Sequence, residues 1–119
     1  ITTNLNLIQG SAFDVPFKDA YFDLVFTSGV LIHISPDDIA EARAEIYRLS
    51  KRYIWGFEYF DETYKALPYR GHEGFLWRGN FAQMYLEQFP DLTLVKYKDY
   101  PYVDSTNVDR MFLLEKKTR

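Results

Sequence analysis

The sequence holds two histidines, and each sits where an imidazole could work. His33 lies near the end of an apolar run, FTSGVLIHISPDD (Phe26–Asp38), where a strand gives way to a helix. An imidazole titrates near neutrality, so His33 is a candidate base for taking a proton from an acceptor hydroxyl. The alternative is a structural residue whose ring contacts the loop backbone. Glu58 interrupts the aromatic run YIWGFEYF (Tyr53–Phe60). A carboxylate there is costly unless it is paired or used. It either orients a substrate hydroxyl or accepts a proton, or it pairs with Arg70 or Arg78. His72 closes the tetrad Tyr69-Arg70-Gly71-His72. Arg70 suits a bidentate grip on a carboxylate or phosphate, Tyr69 stands beside it, and His72 is the second candidate base. The competing reading is a solvated loop with a structural ion pair. The candidate catalytic residues are therefore His33, Glu58 and His72, and the candidate substrate-binding residues Tyr69 and Arg70.

Other chemistries find less support. Two isolated histidines without tight spacing do not make a metal site, and none is expected. A Ser-His-Asp hydrolase would need a Gly-x-Ser-x-Gly turn, which is absent. The aromatics Tyr53, Trp55, Phe57, Tyr59 and Phe60 read as core and cleft lining, not as a stacking platform for nucleic acid.

The elements that must position these residues follow from pattern. Leu5–Gln9 reads as a short strand ending at Gly10, and Ser11–Asp19 as a loop around Pro16. Phe22–Thr27 is an apolar run of the kind expected of a strand buried on both faces. Ser35 suits an N-cap and Pro36 the first helical position, and Ile39, Ala42, Ile46 and Leu49 recur at helical spacing. The spacing predicts a helix from Pro36 to about Ser50. Tyr53–Phe60 reads as a second buried strand. Asp61–Arg78 contains Pro68, Gly71 and Gly74 and reads as a long irregular segment passing over the site. Phe81, Met84, Tyr85 and Phe89 share one helical face, stopped by Pro90. Leu92–Tyr100 and Val108–Lys116 read as a closing antiparallel pair. The fold class is α/β, a mostly parallel sheet with an antiparallel strand at one edge. Ligands in such sheets bind beyond the carboxyl ends of the strands, here Gly10–Phe13, Thr27–His33 and Glu58–Glu62.

The bulk properties set outer limits. The 119 residues suit one small domain, and 47% hydrophobic with 18% aromatic content marks a globular chain. A net charge of −3 argues against nucleic acid as the main partner. There is no cysteine, so disulfides and thiolate metal sites are excluded and a reducing, cytoplasmic location is compatible. No apolar run is long enough to span a bilayer, and no membrane partner is expected.

Several segments carry a family resemblance. Ser11-Ala12-Phe13-Asp14-Val15-Pro16-Phe17 followed by Tyr21-Phe22-Asp23-Leu24-Val25 resembles the middle of class I S-adenosylmethionine-dependent methyltransferases, a Rossmann-like fold. Gly29-Val30-Leu31-Ile32-His33-Ile34 looks like the segment after that fold's fourth strand. Pro68-Tyr69-Arg70-Gly71-His72 and Phe112-Leu113-Leu114-Glu115-Lys116 are similar to methylases associated with pseudaminic acid biosynthesis. The resemblance implies methyl transfer from S-adenosylmethionine to a small, sugar-related acceptor such as a sugar or sugar nucleotide. It also implies cofactor contacts. Ser11 and Ala12 would meet the adenine amino group and ring, and Phe13 would stack near that ring or belong to the core. Thr27, Ser28 and Gly29 would stand where cofactor and acceptor meet.

The departures matter as much. The family's Gly-rich turn lets backbone approach the cofactor, and an acidic residue holds its ribose. No Gly-x-Gly occurs in this chain, and serine replaces the usual acid before Ala12. The chain therefore reads as a truncated methyltransferase domain, beginning at the family's third strand, with cofactor binding in doubt. Leu5–Gln9 would lose its neighbours and pair with Phe22–Thr27, pair across a dimer, or fray. Self-association near that edge is the expectation. The rival reading is a non-catalytic fragment that folds and self-associates without cofactor.

Overall fold

The computed structural model describes residues 5–117. Its main sheet has four strands: β1 (Phe22–Ser28), β2 (Ser50–Tyr59), β5 (Leu92–Pro101) and β6 (Val108–Lys116), in the order β1-β2-β6-β5. β1 and β2 are parallel, and α1 (Ile39–Leu49) carries the chain between them, as a parallel pair requires. β6 runs antiparallel to both β2 and β5. Three strands thus share one direction and the α/β expectation holds, with β1–β2 the parallel ladder and β2–β6 and β5–β6 antiparallel. The reversed strand, however, is interior, not at the edge. β5 and β6 are joined by a short link and must be antiparallel, and β6 takes the inner position because Phe112 and Leu114 belong in the core.

Along β2 the alternation is strict. Ile54, Gly56 and Glu58 are buried on the helix side, while Tyr53, Trp55 and Phe57 stand half-buried on the other. α1 and α2 (Phe81–Gln88) both pack on the first side, where Ile39 and Ile46 meet Phe81, Tyr85, Ile54, Phe112 and Leu114. The helices also touch each other's neighbourhood. Arg43 Nε donates to Gln88 at 2.8 Å, and the Tyr47 and Phe89 rings stack at 3.9 Å. The opposite face is uncovered among the described residues, with Leu24 48% and Phe26 62% exposed. β1 is therefore an edge strand with one open face, not a strand buried on both. On that face Phe26 meets the Trp55 ring edge-on at 6.0 Å, and the rest of its surface is open among the described residues.

Four further expectations need correction. Leu5–Gln9 forms no strand; it runs exposed with no ladder partner, and a strand needs one. α1 begins at Ile39, three residues after Pro36, because Ser35 Oγ spends itself on Asp38 Oδ2 (3.0 Å) and residues 36–38 form a turn instead. β2 begins at Ser50, directly at the end of α1. Asp61–Arg78 is not irregular. It holds an antiparallel hairpin, β3 (Lys65–Tyr69) and β4 (His72–Arg78), turning on Arg70 (φ 50°) and Gly71 (φ 77°). Positive φ at both central residues is the turn that matches strand twist. Arginine rarely adopts it, so the sequence signal was faint. The loop before β1 was correctly read: Arg48 anchors it, donating to the carbonyls of Phe17 (2.7 Å) and Val15 (2.9 Å) and to Asp19 (2.9 Å).

Candidate active site

The carboxyl ends of β1 and β2 meet the start of β6 and the hairpin around a cleft of about 330 Å³. Ser28, Gly29 and His33 line it from the β1 side, and Phe57, Glu58 and Tyr59 from β2. Tyr69 and Leu76 come from the hairpin, Tyr102 and Asp109 from the far side. A second hollow of about 300 Å³ shares His33 and Tyr69 with it and adds Arg70, His72 and Phe75. One groove thus runs from the sheet edge outward along the hairpin.

Gly29 ends β1 with φ 64°, a left-handed conformation that glycine adopts freely, and its N–H donates to Phe57 O at 3.0 Å. That turn sends the chain into a single 3-10 turn, Leu31–His33, whose apolar residues Leu31 and Ile32 are buried. His33 is left facing the cleft. Its Nδ1 lies 2.8 Å from Phe75 O on β4, and its ring meets Tyr69 edge-on at 5.2 Å. A carbonyl only accepts, so Nδ1 carries the hydrogen and the neutral ring keeps its lone pair on Nε2.

Glu58 is 2% exposed. Its Oε2 accepts the Val30 N–H at 3.4 Å, and the Thr27 hydroxyl and the Leu31 and Ile32 amides also face the carboxylate. Burial raises its pKa above the ordinary value, and those donors oppose the rise. Its Oε1 is buried with no partner. The cationic partners expected of it are elsewhere. Arg78 reaches Asp61 (3.4 Å) and Asn107 (2.6 Å), and Arg70 lies over the Tyr69 ring at 5.2 Å. Asp109 also has a raised pKa, first from burial, with the Tyr102 hydroxyl donating to it at 3.4 Å in opposition.

The structure therefore brings His33, Glu58, Ser28, Gly29 and Tyr69 to one cleft, and Arg70 and His72 to its outer extension. Thr27 stands just beneath, buried against Glu58. Ser11 and Ala12 are not at this cleft. They line a separate shallow hollow of about 240 Å³ with Ile8, Gly10, Val15 and Pro16, and Phe13 is partly exposed. The Ser11 hydroxyl accepts the Phe13 N–H at 3.1 Å, which closes a local turn. Tyr102 and Asp109 were not singled out from the sequence. They lie some fifty residues from Glu58 in the chain, and only the β2–β6 register, which sets Tyr59 opposite Asp109, brings them in. For S-adenosylmethionine the fit is partial. Gly29 leaves open space where a Cβ would point, suiting close approach, but the Ser11 hydroxyl already accepts one hydrogen bond and brings no charge to an adenine amino group.

Comparison with known proteins agrees with this architecture. A methyltransferase domain family matches residues 2–53. No curated protein matches the chain. Among solved structures, the Burkholderia thailandensis 1,6-didemethyltoxoflavin-N1-methyltransferase, with bound 1,6-didemethyltoxoflavin and S-adenosylhomocysteine, superposes with a TM-score of 0.71 at 15% identity, over 93% of this chain and 50% of that one. A SAM-dependent methyltransferase from Methanosarcina mazei gives 0.70 at 11% identity, over 92% and 66%. The cyclase SpnF gives 0.64 at 13% identity, over 92% and 56%. The chain spans half to two thirds of the length of these proteins. The likeness shows a class I methyltransferase fold, and the cyclase shows that this fold also carries other chemistry.

Proposed function

We propose that the protein transfers a methyl group from S-adenosylmethionine to a small, sugar-related acceptor, with this chain forming the acceptor-facing wall. The supporting observation is the imidazole of His33, tethered through Nδ1 at the carboxyl edge of β1 with Nε2 left free beside a cleft of acceptor size. S-adenosylmethionine supplies the electrophilic methyl. The chain's own residues supply position and proton transfer. His33 Nε2 takes the proton of the acceptor hydroxyl, and Phe75 O holds the resulting imidazolium through Nδ1–H. Glu58 gathers the amides of residues 30–32 and so holds the turn that carries His33. Aromatic faces from Phe57, Tyr59 and Tyr69 stack on a sugar ring. Arg70 and His72, farther out, meet an anionic group such as a nucleotide phosphate. A cytoplasmic location goes with this reading.

A second reading has its own supporting observation, the open edge of β1 with Leu24 and Phe26 exposed. In it the 119 residues fold and self-associate, joining a second copy along that edge, without binding cofactor. Titration calorimetry of S-adenosylhomocysteine into this chain separates the two. Stoichiometric micromolar binding supports the enzyme reading. No heat at millimolar ligand, from protein shown to be folded by circular dichroism, rejects cofactor binding by this chain.

A further inference from the structure

The hairpin departs from a regular ladder at the place where it meets the groove. Leu67 stands opposite Leu76 and Tyr69 opposite His72, so Pro68 alone faces Glu73, Gly74 and Phe75. The surplus on β4 is a bulge, and Gly74 makes it with φ 80° and open space where a Cβ would point. A bulge re-aims side chains. Here Phe75 turns its carbonyl to His33 Nδ1 at 2.8 Å and leaves its ring 56% exposed, while the next two residues, Leu76 and Trp77, are buried. The ring borders the outer hollow of about 300 Å³, with His33, Tyr69, Arg70 and His72 around it. A single exposed phenylalanine means little by itself. Its company is what matters. Arg70 is the hollow's one permanent cation and lies over the Tyr69 ring at 5.2 Å. No carboxylate lines the hollow among the described residues, in a chain whose net charge is −3. The lining thus offers an open ring face and a positive charge together, and nothing negative.

We propose that this outer hollow binds a nucleoside phosphate, with its base against the Phe75 ring and its phosphate at Arg70 and His72. Every base has a π-face that stacks on an aromatic side chain, and a guanidinium suits a phosphate. An apolar ligand would leave Arg70 unanswered, and a bare phosphate would leave the Phe75 ring in water. The choice of a nucleotide over other anionic rings rests on the methyl-transfer reading. The hollow shares His33 and Tyr69 with the cleft given to a sugar-related acceptor, and a nucleotide is the ring and phosphate that a sugar carries. Phe75 is then the residue that separates a sugar nucleotide from a free sugar phosphate.

The test uses the whole chain without cofactor. Uridine monophosphate, uridine and ribose 5-phosphate are titrated separately, following backbone amide NMR signals of Tyr69–Phe75. A pyrimidine is used because adenine belongs to S-adenosylmethionine. Uridine monophosphate is expected to bind at least about tenfold more tightly than either of the others. Phe75→Leu keeps the carbonyl that holds His33 and removes the flat ring. It is expected to weaken uridine monophosphate about fivefold and leave ribose 5-phosphate unchanged. Arg70→Asn places a residue that tolerates the left-handed turn, and is expected to weaken both phosphates alike and leave uridine unchanged. Equal binding of uridine monophosphate and ribose 5-phosphate, or an unchanged uridine monophosphate affinity in Phe75→Leu, overturns the proposal. Tighter binding of benzoate than of uridine monophosphate gives the hollow to an aromatic acid and overturns it too. Failure here leaves the S-adenosylhomocysteine titration untouched, and a chain that binds uridine monophosphate but no S-adenosylhomocysteine keeps this site while losing methyl transfer, so the two failures are distinguishable.

Discussion

Glu58 is the residue at which sequence and structure meet most directly. A carboxylate in an aromatic strand had to be paired, used or protonated, and the structure offers it amides and one hydroxyl but no cation. The consequence for stability has a definite sign. Below the ordinary carboxyl value of 4.5, Glu58 is protonated in folded and unfolded chains alike and costs nothing. As pH rises above that value the unfolded chain ionises first, so native stability falls until the raised folded pKa is passed. Glu58→Gln removes this slope. Urea midpoints measured from pH 4 to pH 8 should therefore show the wild type losing ground to the variant as pH rises, whatever the other carboxylates contribute to both. A constant difference across the range would mean that Glu58 is ionised in the fold throughout. Farther along the groove, Arg70 and His72 are exposed and make no ion pair among the described residues, which leaves their faces open to a ligand. In a full-length relative carrying this hairpin, Arg70→Ala and His72→Ala should each lower turnover at subsaturating acceptor about tenfold, through a raised KM. Cofactor affinity should stay near wild type in both. Normal turnover in both variants would remove the outer groove from the mechanism.

Among the elements, β2 carries the most. It delivers Phe57, Glu58 and Tyr59 to the cleft at one end and holds Ile54 in the core at the other. Gly56 is what allows it to lie beside β6. The two strands set Gly56 opposite Phe112, and a Cβ at Gly56 would stand 2.1 Å from the Phe112 ring. Phe112 is fully enclosed and has nowhere to move. Gly56→Ala should therefore destabilise the fold by about 1–3 kcal/mol through overpacking. The readout is a lower urea midpoint with an unchanged m-value. Gly56→Ala combined with Phe112→Leu should recover part of that loss, since the smaller side chain vacates the space the new methyl needs. The hairpin is the other element with leverage. It touches the sheet chiefly through the turn after β1, where His33 bonds to Phe75 O, so it orients the imidazole and walls the cleft at once.

At the scale of the molecule, the two sides of the sheet are unequal. Both helices cover one side, while Leu24, Phe26, Trp55, Phe57 and Met111 share the other, with ring contacts such as Phe26 to Trp55 at 6.0 Å. A free parallel edge beside such a face favours pairing between chains. Sedimentation velocity over a concentration series should show reversible self-association, and Phe26→Asp should shift it to monomer without loss of circular dichroism. A monomer at every concentration in the wild type would reject association through this edge. No helix of the described residues is long and apolar enough to cross a membrane.

Most of the secondary structure was legible because period and punctuation are local. The 3.6-residue spacing of Ile39, Ala42, Ile46 and Leu49 and the stop at Pro90 each lie within one element. The place of His33 and Glu58 at the ligand edge was legible for a related reason: strand ends are marked in the chain, and α/β sheets put ligands there. What the sequence by itself determined is the α/β class, those two residues at the edge, and the absence of cysteine chemistry. The tertiary structure alone decided the rest. The hairpin depends on an arginine in a left-handed turn, a state that local propensity argues against. β1 reads as doubly buried because its composition records hydrophobicity and not which neighbours are present. Asp109 and Tyr102 join Glu58 only through the antiparallel register of β6, and register is set by pairing between strands far apart in the chain, which no local pattern encodes.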